Sequence, residues 1–64
     1  MGELTGEQYA ELPEVLTPDQ AAAMLGMSTP QLLRLANAGD IPARRIGRVW
    51  RFGKTRLEEY LREV

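Results

Sequence analysis

Apolar residues recur at helical spacing in three separate stretches of the chain. In chain order, the three sets are Ala21, Ala22 and Leu25; Leu32, Leu35 and Ala36; and Leu57, Tyr60, Leu61 and Val64. Residues spaced at i, i+3, i+4 and i+7 lie on one face of an α-helix, where they can pack on a common core. The pattern predicts three amphipathic helices, of which the last has the clearest periodicity and begins around Gly53 or Lys54.

Capping residues place the ends of the first two helices. Thr17-Pro18-Asp19-Gln20 has the spacing of a capping box with proline at the first helical position, and Ser28-Thr29-Pro30-Gln31 repeats that spacing. Gly26 and Gly39 can supply the left-handed backbone with which helices commonly end. The helices predicted in this way run from Pro18 to Leu25 and from Thr29 to Ala38. Because the turn between them is tight, the pair is predicted to form a helix-turn-helix.

Between the second and third helices the chain has the alternation of a β-hairpin. The runs Ala43–Ile46 and Val49–Phe52 flank Gly47-Arg48, which suits a two-residue turn that begins with glycine. In this register Arg45 lies opposite Trp50. We expect the face of the hairpin that carries Trp50 to meet the helices, with the Gly47-Arg48 turn at the tip.

An acidic segment, residues 1–14, precedes this domain. Thr5-Gly6-Glu7-Gln8 has a further capping-box spacing, which allows a short helix from Gly6 to Leu12 that ends before Pro13. Residues 15–64 are predicted to form one mostly α-helical domain with a small β-hairpin. A helix-turn-helix followed by a hairpin and a closing helix is a winged helix-turn-helix.

The charges of the chain are strongly segregated, although the formal net charge is only −1. Residues 1–33 contain five acidic and no basic side chains, whereas residues 34–56 contain seven basic side chains and one acidic side chain, a local net charge of +6. A basic segment of this kind suits a surface that binds a polyanion. The alternative that charge alone leaves open is a basic face that is merely solvated.

The composition argues against several classes of protein. The chain has no cysteine and no histidine, so the usual zinc sites, disulfides and histidine-dependent nucleophiles are not available. We therefore expect neither an enzyme nor a metal or cofactor site. No apolar run reaches the roughly 18 residues of a membrane span, and the N-terminus lacks the basic start of a signal peptide. These features predict a cytoplasmic protein without a membrane partner.

Several short strings, in this order and spacing, resemble the excisionase family of MerR-like winged helix-turn-helix DNA-binding domains. They are Leu16–Ala22, Leu25–Ser28, Gly39–Ala43, Ile46–Arg48, Trp50–Phe52 and Leu57–Leu61. The resemblance covers residues 15–62 and implies that the second helix enters the major groove while the wing touches adjacent backbone or minor groove. The chain departs from the family pattern at Pro30 and Leu33, where a basic residue and a polar or aromatic residue are frequent.

Two sets of residues are predicted to bind DNA. The resemblance implies base contacts for Thr29, Gln31, Arg34 and Asn37 and phosphate contacts for Arg48 and Arg51. The first set, on the recognition helix and its start, is Ser28, Thr29, Gln31, Arg34 and Asn37. The second set, on the wing and its flanks, is Arg44, Arg45, Arg48, Arg51 and Lys54.

Each role has an alternative in the residues themselves. Arg34 can form a bidentate pair with guanine or be a solvated arginine. Gln31 can pair with adenine, but we expect its main role to be completion of the cap on Ser28. Leu33 can touch a thymine methyl group or border the core. The stem of Arg45 can cover Trp50 instead of contacting DNA, and Trp50 itself suits the core better than a base-stacking platform.

Three functions follow as hypotheses. The first is an architectural DNA-binding protein of the excisionase type, a directionality factor that acts with an integrase and associates head to tail on double-stranded DNA. The second is a small MerR-like transcriptional regulator, which would use the same contacts. The third is a protein-interaction adaptor or antitoxin-like module whose acidic N-terminus binds a partner, and it predicts no salt-sensitive binding of DNA.

Overall fold

The computed structural model describes residues 12–63 of the chain. Its elements in this range are β1 (Val15–Leu16), α1 (Pro18–Leu25), α2 (Thr29–Ala38), β2 (Arg44–Ile46), β3 (Val49–Gly53) and α3 (Lys54–Glu63). The predicted winged helix-turn-helix is confirmed, and α1 and α2 have the predicted bounds. The predicted N-terminal helix lies outside the described residues, apart from Leu12.

Caps at both ends of α1 explain why this helix begins and ends where it does. Thr17 Oγ1 accepts a hydrogen bond from the Gln20 N–H at 3.2 Å, and Gln20 Oε1 accepts one from the Thr17 N–H at 3.0 Å. At the other end Gly26 has a φ of +70° and donates its N–H to the last turn of the helix. These bonds satisfy backbone groups that have no partner within the helix.

The cap of α2 is simpler than the sequence predicts. Ser28 Oγ accepts a hydrogen bond from the Gln31 N–H at 3.3 Å. Unlike Gln20, the side chain of Gln31 does not return a bond to the backbone of its capping residue and remains exposed. The expectation that the Gln31 side chain completes this cap is therefore wrong, and its amide is turned to solvent instead.

The sheet has three antiparallel strands in the order β1-β3-β2. Arg45 pairs with Trp50 as predicted, and Gly47 opens the two-residue turn with a φ of +65°. Strand β1 was not predicted from the sequence; it adds Val15 and Leu16 to the free edge of β3. The hairpin is thus anchored at its base by a strand that precedes both helices.

The core lies between the inner face of the sheet and the helices. Its buried members are Leu16, Ala21, Ala22, Leu32, Ala36, Ile41, Phe52 and Leu57. Leu25, Leu35, Trp50 and Tyr60 are half-buried against it. Leu61 is 46% exposed, contrary to its predicted place in the buried stripe of α3, whereas Leu57 and Tyr60 of the same helix pack on the core.

Glu14 fixes the start of α3 from the opposite end of the sequence. Its carbonyl oxygen accepts the Lys54 N–H at 2.8 Å, Oε2 accepts the Thr55 N–H at 3.1 Å and Oε1 accepts the Thr55 hydroxyl at 2.7 Å. The hydrogen bonds from Thr55 lower the pKa of the Glu14 carboxyl below its ordinary value of about 4.5. A carboxylate at a helix N-terminus also interacts favourably with the helix dipole. This contact sets where α3 leaves the sheet.

Candidate nucleic-acid interface

The solvent-facing side of α2 presents the residues expected to read bases. Leu32 and Ala36 are buried on one side of the helix, whereas Arg34 and Asn37 are exposed on the other side, together with Gln31. Because the helix is held by its buried side and capped at both ends, these side chains project from a fixed backbone. Arginine, asparagine and glutamine are the residue types that make bidentate contacts with base edges in the major groove.

Two residues at the start of α2 have structural bonds in addition to any contact with DNA. Ser28 caps the helix, and the Thr29 hydroxyl donates a hydrogen bond to Asp19 Oδ1 at 2.7 Å. The second bond joins the first turns of α1 and α2 and so links the two helices at their N-terminal ends. Of the predicted set on this helix, Thr29 alone is half-buried; the other four, Ser28, Gln31, Arg34 and Asn37, are exposed.

The wing carries its arginines on both sides of the hairpin. Arg44, Arg45 and Arg48 are exposed, and Arg48 lies in the turn at the tip. Arg51 is half-buried and donates from Nη1 to the Trp50 carbonyl oxygen at 2.8 Å. Lys54, the last residue of the predicted set, begins α3 beside Glu14.

The hairpin separates these arginines by face, since side chains alternate along a strand. Phe52 is buried and Trp50 is packed against the core, which supports the interpretation of Trp50 as a core residue. Arg51 and Gly53 therefore lie on the opposite, outer face of the sheet, with Arg44 directly across from Arg51. Arg45 pairs with Trp50 and lies at the inner face.

A cleft of about 320 Å³ opens on the outer face and includes an arginine that the sequence analysis did not select. Its lining residues are Pro42, Ala43, Arg44, Arg51, Gly53 and Arg56. Arg56 lies in the first turn of α3, outside the wing. Its one signal in the sequence is its membership of the basic segment over residues 34–56, and no spacing rule links it to Arg44.

Comparison with known proteins identifies a family but no individual relative. Residues 15–64 match the family model of a helix-turn-helix domain, a family found in excisionase-like proteins. No curated protein and no solved structure matches the chain. None of the helices within residues 12–63 combines the length and the apolar character that crossing a membrane requires.

Proposed function

The chain belongs to the helix-turn-helix domain family found in excisionase-like proteins, and from this premise we propose that it binds double-stranded DNA at specific sequences. In the proposed complex α2 enters the major groove, where Arg34 contacts a base edge. The wing arginines contact phosphates, which positions the domain without selecting a sequence. Helix-turn-helix domains typically act by binding alone, so the proposal includes no catalytic step.

The observation that carries the proposal is the position of Arg34. It is exposed near the middle of α2, on the side opposite the buried Leu32, within the segment that has a net charge of +6. A guanidinium group on a rigid, solvent-facing helix can reach guanine O6 and N7 with two parallel hydrogen bonds. A merely solvated basic face would need neither the rigid placement nor the neighbouring amides of Gln31 and Asn37.

The proposal is tested by selecting bound duplexes from a random pool and measuring affinity for the selected site and for a shuffled version of it. We expect enrichment of a short motif and a preference on the order of 10³-fold over the shuffled duplex at moderate salt. If no motif is enriched in the bound pool, or if the two duplexes bind with equal affinity, sequence-specific binding is contradicted. Absence of any salt-sensitive binding would instead favour the protein-interaction adaptor.

We further propose that the protein is an excisionase, which bends DNA and directs an integrase towards excision. Membership of a family found in excisionase-like proteins supports this role. The test is a footprint over the protein's own genetic neighbourhood, followed by a recombination assay with an integrase encoded there. Stimulated excision is expected. A footprint confined to a promoter, without any effect on recombination, would favour a small MerR-like regulator.

A further inference from the structure

Three arginines from different parts of the chain converge on the outer face of the sheet. Arg44 of β2 and Arg51 of β3 are directly opposite each other in the strand ladder, and Arg56 joins them from the first turn of α3. All three line the same cleft of about 320 Å³. Their convergence depends on the position of α3, which Glu14 fixes through Thr55.

This cluster is electrostatically unfavourable in the isolated domain. Like charges directly opposite each other on neighbouring strands are destabilising. Among residues 12–63 no carboxylate pairs with any of the three arginines. The carboxylate of Glu14 lies near Gly53 at the edge of the cleft, but its two oxygens accept hydrogen bonds from Thr55. Packing alone does not account for three cations at this place.

The guanidinium donors and the space between them suit a phosphate group. Arg51 uses Nη1 to bind the Trp50 carbonyl, and a guanidinium has five N–H donors, so most of its donors remain. Gly53 also lines the cleft and lies beside Arg56, since a Cβ at this position would be in van der Waals contact with Arg56 Cγ at 3.4 Å. Arginine forks match the geometry of phosphate oxygens and bind them more strongly than neutral donors do.

We propose that the cleft binds a single phosphate of the DNA backbone, held jointly by Arg44, Arg51 and Arg56. The inference rests on the proposed DNA binding and adds to it a contact outside the recognition helix and the wing tip. Arg56 is a binding residue in this arrangement. Because Arg56 belongs to α3 whereas Arg44 and Arg51 belong to the hairpin, the bound phosphate links the wing to α3. The site reads no base, so it contributes to affinity equally on every sequence.

The first experiment compares Arg56→Gln with Arg62→Gln. Both variants remove one positive charge from α3, but only Arg56 lines the cleft. We expect Arg56→Gln to weaken binding several-fold on the selected site and on random duplex alike, while Arg62→Gln retains nearly the full affinity. Thermal unfolding should show that Arg56→Gln is at least as stable as the parent protein, because it relieves repulsion. Equal effects of the two variants on affinity would overturn the proposal.

The second experiment asks whether the three arginines share one phosphate. The slope of log affinity against log salt changes by about 0.9 for each phosphate contact. If the phosphate is shared, the slope of the variant Arg44→Gln/Arg51→Gln/Arg56→Gln should be less negative than that of the parent by about 0.9. Between 50 and 200 mM salt, the loss of affinity would then be smaller than the parent's by a factor of about 3.5. A change of about 2.7 would mean three separate phosphates, and no change would mean none. Either result would overturn the shared site.

Failure of this inference can be told apart from failure of the proposed function. If the triple variant keeps the parent's salt dependence while Arg34→Ala still loses sequence preference, DNA binding stands and the cleft contact is wrong. If no variant binds DNA because the parent does not, the proposed function fails first. If the triple variant changes only the cooperativity between neighbouring copies, the cleft receives an acidic segment of another protomer and not a phosphate.

Discussion

Arg34 and Arg48 are both exposed arginines, yet their positions predict different contributions to binding. Arg34 projects from the capped helix α2, and Arg48 lies in the turn of the hairpin. We predict that Arg34→Ala costs roughly 1 to 3 kcal/mol on the selected site and much less on random DNA, since it removes a base contact. Arg48→Ala should weaken binding to both duplexes alike, since it removes a phosphate contact. Equilibrium titrations of each variant with the two duplexes measure this difference.

An equal loss of affinity for both variants on both duplexes would show that Arg34 does not contribute to sequence specificity.

Gln31 gives a second measurement on the same helix. Its side chain is exposed and is not needed for the cap, because Ser28 bonds the Gln31 backbone. Gln31→Ala should therefore leave the stability of the domain nearly unchanged, so any lost sequence preference is attributable to DNA contact.

Glu14 makes the stability of the domain depend on pH in a defined direction. Hydrogen bonds from Thr55 hold the pKa of its carboxyl below the ordinary value of about 4.5. The folded state therefore favours the charged form, so the stabilisation is present above that value and is lost as the pH falls below it. We predict that Glu14→Gln lowers the free energy of unfolding at neutral pH and flattens its decrease between neutral and acidic pH. Chemical denaturation at several pH values measures both effects.

Glu59→Gln is the matched control for Glu14→Gln. Glu59 is an exposed glutamate within α3, the helix whose start Glu14 contacts. The control should lower the free energy of unfolding at neutral pH less than Glu14→Gln does, because it removes no hydrogen bond to Thr55. An identical pH dependence in the parent and in Glu14→Gln would contradict the role assigned to this carboxylate.

Residues with local partners could be predicted from the sequence, whereas residues with distant partners could not. The bonds between Thr17 and Gln20 span three residues, so their spacing alone indicates the cap. Glu14 and Thr55 are 41 positions apart, and nothing in either neighbourhood signals the contact. Arg56 was missed for the same reason, since its approach to Arg44 follows from the position of α3 on the sheet.

At the scale of elements, the wing depends on the backbone of one residue. Gly47 has a φ of +65°, and a Cβ added there would meet no atom within 4 Å. Gly47→Ala should therefore cost roughly 1 to 2 kcal/mol through backbone strain alone. We predict that it also weakens DNA binding on all sequences, because the turn that presents Arg48 is distorted. Unfolding and binding measured on the same preparation test both parts.

Thr17→Ala tests whether a loss of stability alone, without distortion of the wing turn, weakens DNA binding. It removes the cap of α1 and should cost roughly 0.5 to 2 kcal/mol, an effect similar in size to that of Gly47→Ala. At a temperature where both variants are folded, Thr17→Ala should bind DNA as the parent does. Equal affinities of the two variants would show that the shape of the turn does not matter for binding.

Helices were easier to predict than strands in this chain. The bounds of α2 follow from Ser28, Gly39 and an apolar stripe, all of which lie within the element. Strand β1 contains only Val15 and Leu16, too short for any periodicity, and it pairs with residues 52 and 53 far along the chain. The sequence therefore predicted a hairpin, and the third strand became evident only from the tertiary structure.

At the scale of the whole molecule, the segregation of charge suggests how copies could assemble. Five of the nine acidic residues precede α2, where no basic residue occurs, and the basic segment over residues 34–56 includes the wing. A head-to-tail contact would place the acidic N-terminal segment of one copy near the wing tip of the next, and such a contact does not close into a ring but extends along DNA. A single small module discriminates its site weakly, so neighbouring copies would strengthen occupancy.

We predict a monomer in free solution and cooperative binding to closely spaced direct repeats. Replacing the acidic residues Glu3, Glu7 and Glu11 by glutamine should reduce cooperativity more than affinity for a single site, because it weakens the contact between copies. The matched control replaces Glu58, Glu59 and Glu63 by glutamine, an equal change of charge in α3. Substitution is preferable to deleting residues 1–13, because the deletion would also remove Leu12, which packs against the core. Titrations of one-site and two-site duplexes measure the difference, and a stable two-fold dimer or independent occupation would contradict this assembly.

The salt dependence of binding tests whether the basic segment of this domain holds duplex DNA. The measurement is the affinity for the selected duplex over a series of salt concentrations, with the unmodified chain. If about four or five phosphates are contacted, log affinity should fall against log salt with a slope of roughly −3 to −5. An affinity that barely changes between low and moderate salt would contradict the account.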